Sequence, residues 1–389
     1  MELSKVKYTA FNLTHNCNLR CSYCYAGPKQ QRPMSIRTAL QAVDFLAGQA
    51  DGRCTITFFG GEPLLEFDLI RQVVEYAERT HSSKIDFRMS TNGTLVTQEI
   101  LDFFRQHDIY FALSIDGDQV QHDLCRRYAN NRGSYQNIAE KLQPILDFNP
   151  YTIAVSVIIP ETAVYLATGV EHLFDRGFRY VLQTLDYAAS WTSKDIKVLK
   201  EQYRHLADYY AKSLMAGKKV YYSPFDERIK TWAQKLYGPG EICDLANSQI
   251  AIAPSGRIYP CVQFIGTDDG SYMENAIGDV TTGFDLRQRQ YFVAQNNAER
   301  QSCVGCALYG RCATYCGCVN WRATGDLRTI PPIICEHERM LMPIVDAMAN
   351  KLWAKKVSLF KRKFYEKTFP LSSYIEDCLI RKGERHARN

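Results

Sequence analysis

The chain has 389 residues, 46% hydrophobic and 23% charged, the balance of a globular protein with a sizeable core and room for two or three domains. No window approaches the ~18 apolar residues of a membrane span, and MELSKVKYTAF lacks the apolar run of a secretory signal, so the expectation is a soluble, cytoplasmic protein. Thiols stay reduced in that compartment, so 14 cysteines point to metal or redox chemistry more than to disulfides.

The first half alternates strand-like and helical runs. Candidate strands are VKYTAFNLT (6–14), CTITFFG (54–60), KIDFRMSTN (84–92), YFALSIDG (110–117), YTIAVSVII (151–159) and FRYVLQTLD (178–186). Helical spacing recurs between them: Ile36, Leu40, Val43 and Leu46 behind a Ser35 cap, then Ile70, Val73, Val74 and Ala77. Strand and helix repeated six times predict parallel β/α units, because parallel strands need a crossover. Each apolar strand is followed by Cys, Gly, Glu, Ser, Asn or Asp, and in β/α barrels that end carries the chemistry.

The alternation is lost after about residue 190, where SKDIKVLKEQYRHLADYYAKSLMAG reads as a helical connector (191–240). Eight cysteines between Cys243 and Cys335, in short turn-rich segments, predict a second domain organised by metal over 241–340. The rest, 341–389, reads as a helical extension. From Lys351 onward it holds 11 Lys+Arg against 4 Asp+Glu, about +7, so the rest of the chain is near −2 against the total of +5. Such a tail suits an acidic partner segment or a solvated helix face; nucleic acid is not expected.

THNCNLRCSYCYAG (14–27) follows the first strand and places Cys17, Cys21 and Cys24 close together without a fourth ligand. Zinc and ferredoxin-type sites want four protein ligands. Three thiolates on a four-iron cluster leave one iron open to another molecule. The Cys-x3-Cys-x2-Cys spacing, with Tyr23 before the last cysteine, resembles the signature of the radical S-adenosylmethionine (radical SAM) superfamily. Zinc or three unlinked thiols is the competing reading. The resemblance implies a partial (β/α)6 TIM-like barrel over 1–190. It also implies a [4Fe-4S] cluster whose open iron chelates S-adenosylmethionine, and a 5′-deoxyadenosyl radical that abstracts a hydrogen atom.

Later strand ends agree with the same family. GGEPLL, with Gly60, Gly61 and Glu62, resembles the motif whose backbone meets the methionine amino group, where small residues let the main chain approach. STNGTL and SIDG supply Ser90, Asn92, Ser114 and Asp116 for ribose hydroxyls and the methionine carboxylate. In HDLCRR, Arg126 fits the arginine that pairs this carboxylate, with Arg127 as the alternative. Tyr23 is expected near adenine.

CDLANSQIAIAPSGRIYPC followed by CVGCALYGRCATYC and Cys335 reproduces the seven-cysteine pattern of the SPASM domain, a module that carries two auxiliary clusters. The resemblance implies three [4Fe-4S] clusters in all. Cys303, Cys306, Cys312 and Cys335 would complete one auxiliary cluster, and Cys243, Cys261 and Cys316 would hold the other. Its fourth ligand is either Cys318 or a substrate group. A zinc ribbon is the competing reading, and Cys54, Cys125 and Cys378 read as ordinary thiols.

SPASM members act mostly on peptides or proteins, as sulfatase maturases or as peptide maturases that form thioether or carbon–carbon cross-links. An auxiliary cluster can take the electron that a net oxidation releases. Sulfatase maturases carry a basic aspartate directly after the Gly-x4-Cys cysteine, where this chain has Val262, which cannot accept a proton. Cross-linking of a ribosomally made precursor peptide is therefore the leading expectation. A formylglycine-generating sulfatase maturase and a non-catalytic iron–sulfur electron carrier are the alternatives. Implied partners are the precursor, an electron donor such as flavodoxin or ferredoxin, and a separate leader-binding protein, since the first strand starts within ten residues of Met1. The connector or the basic tail could also read a leader. Asp186, Tyr187 and Gln183, at the end of the sixth strand, are expected to face the cavity.

Overall fold

Each of the six candidate strands is a strand, because each joins β-branched and aromatic residues to turn residues at its ends. They are β1 (Tyr8–Asn12), β2 (Cys54–Phe59), β3 (Ile85–Thr91), β4 (Tyr110–Ser114), β5 (Ile153–Ile158) and β6 (Tyr180–Leu185), paired in chain order and all parallel. Helices cover the outer face. Ser35 Oγ caps Ile36–Gln49 by accepting from Thr38 N, and Ile70, Val73, Val74 and Ala77 of Phe67–Thr80 are buried. The structure is a computed structural model describing residues 3–81, 84–235, 243–271, 273–312 and 316–388, with side chains to residue 379. The boundary expected at 240 lies outside them.

Five further strands extend the sheet. β7 (Tyr221–Tyr222) joins β6 in parallel, and β8 (Gln249–Ile252) joins the free side of β1 in parallel. β9 (Arg257–Tyr259), β10 (Gly278–Asp279) and β11 (Gly283–Phe284) follow antiparallel. The order β11-β10-β9-β8-β1-β2-β3-β4-β5-β6-β7 leaves β7 and β8 unpaired with each other, so the barrel stays open along one side. The connector was expected to be helical, and Ser193–Met215 and Ser223–Gln234 are. Between them, however, β7 is a strand, too short to leave a periodic signature.

The tail is helical as expected, over Pro332–Ala354, Ser358–Tyr365 and Phe369–Arg388. The first of these runs through the boundary expected at 341 and carries Cys335 in its opening turn. Its buried Glu338 accepts from Arg228 Nε at 2.9 Å. Asp377 pins the last helix beneath β5–β7, accepting from Tyr151 Oη at 2.9 Å, Arg179 Nη1 at 2.6 Å and Lys219 Nζ at 3.1 Å. Lys363, on the preceding helix, reaches Asp226, Tyr210 Oη and Val220 O. Among the described residues no helix is long and apolar enough to cross a membrane.

Candidate functional site

The loop leaving β1 crosses the C-terminal ends of the strands and is clamped by the turn after β2: Gly61 N donates to Thr14 O and Glu62 N to Asn16 O, both at 2.9 Å. Cys17, Cys21 and Cys24 then line a single cavity of about 460 Å³. Gly60, Gly61, Ser90, Asn92, Ser114, Arg126 and Tyr23 line it too, so the strand-end motifs converge on the three thiols. Its volume falls in the range of small-molecule sites.

Burial pushes the Cys17 thiol up to about 11 and raises Cys21 as well. Cations stand beside these groups, which must lose a proton to ligate metal: Lys29 Nζ lies 2.9 Å from Cys24 Sγ, and Arg126 Nη1 4.0 Å from Cys21 Sγ. Lys29 was missed in the sequence; its one signal is a position five residues after Cys24. Asn92 Nδ2 reaches toward Cys17 Sγ at 3.8 Å and donates to Asn18 Oδ1 at 2.9 Å.

The Asp116 side chain faces elsewhere than expected, and that of Glu62 turns away from the cavity that its motif borders. Glu62 is fully buried, accepting from Leu64 N at 3.1 Å, Thr91 Oγ1 at 2.7 Å and Asn92 N at 2.8 Å. It ties the turn after β2 to the turn after β3, and burial pushes its carboxyl up to about 7 despite those bonds. Asp116 accepts from Val157 N at 3.0 Å, Tyr23 Oη at 2.5 Å and Arg126 Nε at 3.2 Å. Its oxygens are thereby occupied in orienting Tyr23 and Arg126 rather than aimed at a ligand. Arg127 turns away to the Asp123 carbonyl, which leaves Arg126 as the cavity arginine.

The two glycines have a packing reason of their own. A Cβ on Gly61 would stand 2.0 Å from Asn16 O, and one on Gly60, whose φ is +137°, 2.5 Å from Thr14 O. Close approach of one loop to the other thus demands glycine at both positions.

At the far wall, Asp186 and Tyr187 line the cavity as expected, whereas Gln183 does not. Strand alternation turns Gln183 to the helix side, where Tyr222 Oη donates to it. Among the described residues Asp186 is the one carboxylate lining the cavity, 3.4 Å from Arg322 Nη2 of the helix Gly317–Thr324. Tyr187 Oη meets His337 Nδ1 at 3.0 Å. Val262 lines a small pocket together with Gly60 and Gly61, and the neighbouring Gln263 faces the cavity.

The structure gathers Cys243, Cys261, Cys316 and Cys318 around one another. All four are free thiols: Cys316 Sγ lies 3.3 Å from Cys318 Sγ, Cys243 donates a hydrogen bond to Cys316, and Cys318 donates one to Cys261. Cys335 packs with Cys303. The three thiols at the cavity and the four around Cys316 are thiol alone, a soft set that suits iron–sulfur clusters or zinc.

Residues 11–167 match the model of the radical SAM superfamily. The chain carries a radical SAM domain. Such a domain implies a four-iron cluster and S-adenosylmethionine, and three thiols on one cavity fit that pair. Among relatives, an uncharacterised protein of Methanocaldococcus jannaschii is 33% identical over 178 residues, 45% of this chain and 61% of that protein. The chain thus spans about three fifths of that relative. The cysteine-type anaerobic sulfatase-maturating enzyme of Clostridium novyi is 23% identical over 328 residues, 77% of this chain and 85% of that enzyme. Among solved structures, anSMEcpe with bound AdoMet superposes with a TM-score of 0.78 at 16% identity, covering 92% of this chain and 98% of that one. SuiB of Streptococcus suis, bound to its precursor peptide SuiA, superposes with a TM-score of 0.59 at 13% identity, covering 85% of this chain and 76% of SuiB. These likenesses show a radical SAM fold that extends past the matched barrel into the cysteine-rich region.

Proposed function

We propose that this radical SAM protein is a peptide-modifying oxidoreductase that cross-links a ribosomally made precursor through a thioether or carbon–carbon bond. The cluster and S-adenosylmethionine would supply a hydrogen-abstracting radical at the cavity. Cys17, Cys21 and Cys24 would hold that cluster. Arg126, oriented by Asp116, would face the methionine carboxylate, with Ser90, Asn92 and Ser114 lining the same cavity. Cys243, Cys261, Cys316 and Cys318 would hold one auxiliary cluster, and Cys303, Cys306, Cys312 and Cys335 the other. An external donor such as flavodoxin or ferredoxin would supply electrons.

The observation that carries the reading is the shared wall. Arg322, four residues after Cys318 on one helix, lines the cavity of the three N-terminal thiols, so a substrate there touches both cysteine regions. A non-catalytic carrier has no need of such a cavity. A second reading, sulfatase maturation, is favoured by the likeness to anSMEcpe, also solved with the Cp18Cys peptide, and by Asp186 as a carboxylate in the cavity. Against it stands Val262 beside Cys261.

Anaerobically reconstituted protein, reduced and given S-adenosylmethionine, should release 5′-deoxyadenosine; none formed would remove the enzyme reading. With a cysteine-containing precursor, mass spectrometry should find loss of two hydrogens with sulfur retained. Loss of sulfur from the cysteine would instead install the maturase reading.

A further inference from the structure

A second cavity, of about 1000 Å³, lies at the opposite end of the barrel, under the C-terminal helices. Its walls are rich in rings, with Tyr151, Tyr180 and Tyr221 from the strand bottoms and Phe364, Phe369 and Tyr374 from the tail. Tyr151 lies 6.3 Å from Tyr180 and 5.9 Å from Tyr374, and Tyr180 lies 5.7 Å from Tyr221, so the rings form a continuous row. Asp377 and Lys363 clamp the tail in place with the buried contacts described above.

Strand register connects this lower cavity to the reaction cavity. Ile153 pairs with Tyr180, Val155 with Leu182 and Val157 with Thr184. A period of two puts all six on the inner face. Ile153 and Tyr180 line the lower cavity, and Val155, Val157 and Thr184 line the upper one. Leu182, between Tyr180 and Thr184, remains 37% exposed in mid-strand. One inner-face side chain between the two cavities is therefore left partly unpacked, unlike the filled layers of a closed β/α barrel.

We infer that the lumen takes an extended peptide that runs along β5 and β6. An aromatic or large aliphatic side chain of that peptide seats in the tail-walled lower cavity while the reacting residue sits above. Ile153 and Val157 are four residues apart, roughly 13 Å at 3.3 Å per residue, so anchor and reacting residue are spaced about four positions apart. The inference rests on the peptide reading and gives the C-terminal extension a role in measuring position along the substrate. Ring-lined pockets hold such side chains by area buried, at about 25 cal/mol per Å².

The test is selection from a library of short peptides with one fixed central cysteine and random flanks, using cluster-loaded protein with S-adenosylmethionine. Selected peptides should carry Phe, Tyr, Trp or Leu about four positions to one side of the cysteine. That preference should vanish in Leu182→Trp, which fills the lumen between the cavities, and weaken in Tyr374→Ala, which removes part of the lower wall. Iron content and circular dichroism screen both variants for folding, and either one suffices. Peptides selected without positional preference, or with the same preference in the variants, overturn the inference and leave the peptide reading standing. Selection of nothing above bare resin overturns the peptide reading itself, even where 5′-deoxyadenosine is released.

Discussion

Arg126 Nε lies 3.2 Å from Asp116 Oδ2, with the two side chains 8% and 2% exposed, and the guanidinium lies 5.3 Å from the centre of the Tyr23 ring. Burial works against the charge on Arg126, but the Asp116 carboxylate prevails and holds the guanidinium above its ordinary value. Removing one partner of such a pair strands the other. Asp116→Asn should therefore cost about 3–5 kcal/mol in urea unfolding, a larger loss than the exposed Arg105–Asp102 pair would give. A loss within ~0.5 kcal/mol, the range of ordinary surface changes, would mean the pair is not structural.

Glu62 sets a pH dependence with a definite sign. Its carboxyl sits at about 7 in the fold against an ordinary 4.5. Between those values the folded chain keeps a proton that the unfolded chain has lost, so stability falls as pH rises from about 4.5 to about 7 and is flat outside that window. The span corresponds to roughly 3 kcal/mol. Glu62→Gln should abolish the slope. It should also lose the bond from Asn92 N, since an amide NH₂ cannot accept it, at about 1–3 kcal/mol near pH 5. Denaturation midpoints across that pH range check both expectations.

Gly61→Ala should drive a methyl into the Asn16 carbonyl and push the cysteine loop off the turn after β2. Overpacking of this kind costs about 1–3 kcal/mol or more. The specific outcome is loss of iron from the N-terminal site, while any iron held by the proposed auxiliary sites of the cysteine-rich region remains. Iron analysis paired with Cys17→Ala would show the same deficit if the loop is what moves.

Cys318→Ala tests the fourth thiol of its group. If the cysteine-rich region holds two auxiliary clusters, as proposed above, a full load would be about twelve irons. The variant should release part of that iron to a chelator faster than wild type, whereas Cys378→Ala, in the tail, should not. Equal release rates would assign the fourth position to something other than Cys318.

Much of this was legible in the sequence. The six strands and their polar ends carried strong local signals, and the cysteine spacings located the three thiols that line the cavity and the thiols gathered around Cys316. Other features were hidden because they depend on partners distant in the chain. Nothing in SIDG tells that Asp116 turns inward to Arg126, and nothing in GGEP tells that Glu62 reaches Thr91 and Asn92. Gln183 lies off the cavity because alternation along the strand, and not proximity to its end, decides which face a side chain takes. β7 is too short for periodicity to register. The fit of Cys318 into its group depends on a helix start at Gly317 that three-dimensional packing fixes.

The attachment of β8 to β1 has a bearing on modularity. β1, which launches the cysteine loop, is hydrogen-bonded to β2 on one side and to a strand from the cysteine-rich region on the other. Cutting the chain before β8 would turn that central strand into a bare edge, open to pairing with other chains. The barrel and the cysteine-rich region therefore share one hydrogen-bonded ladder, and exchanging either between proteins as a cassette would need a replacement for it.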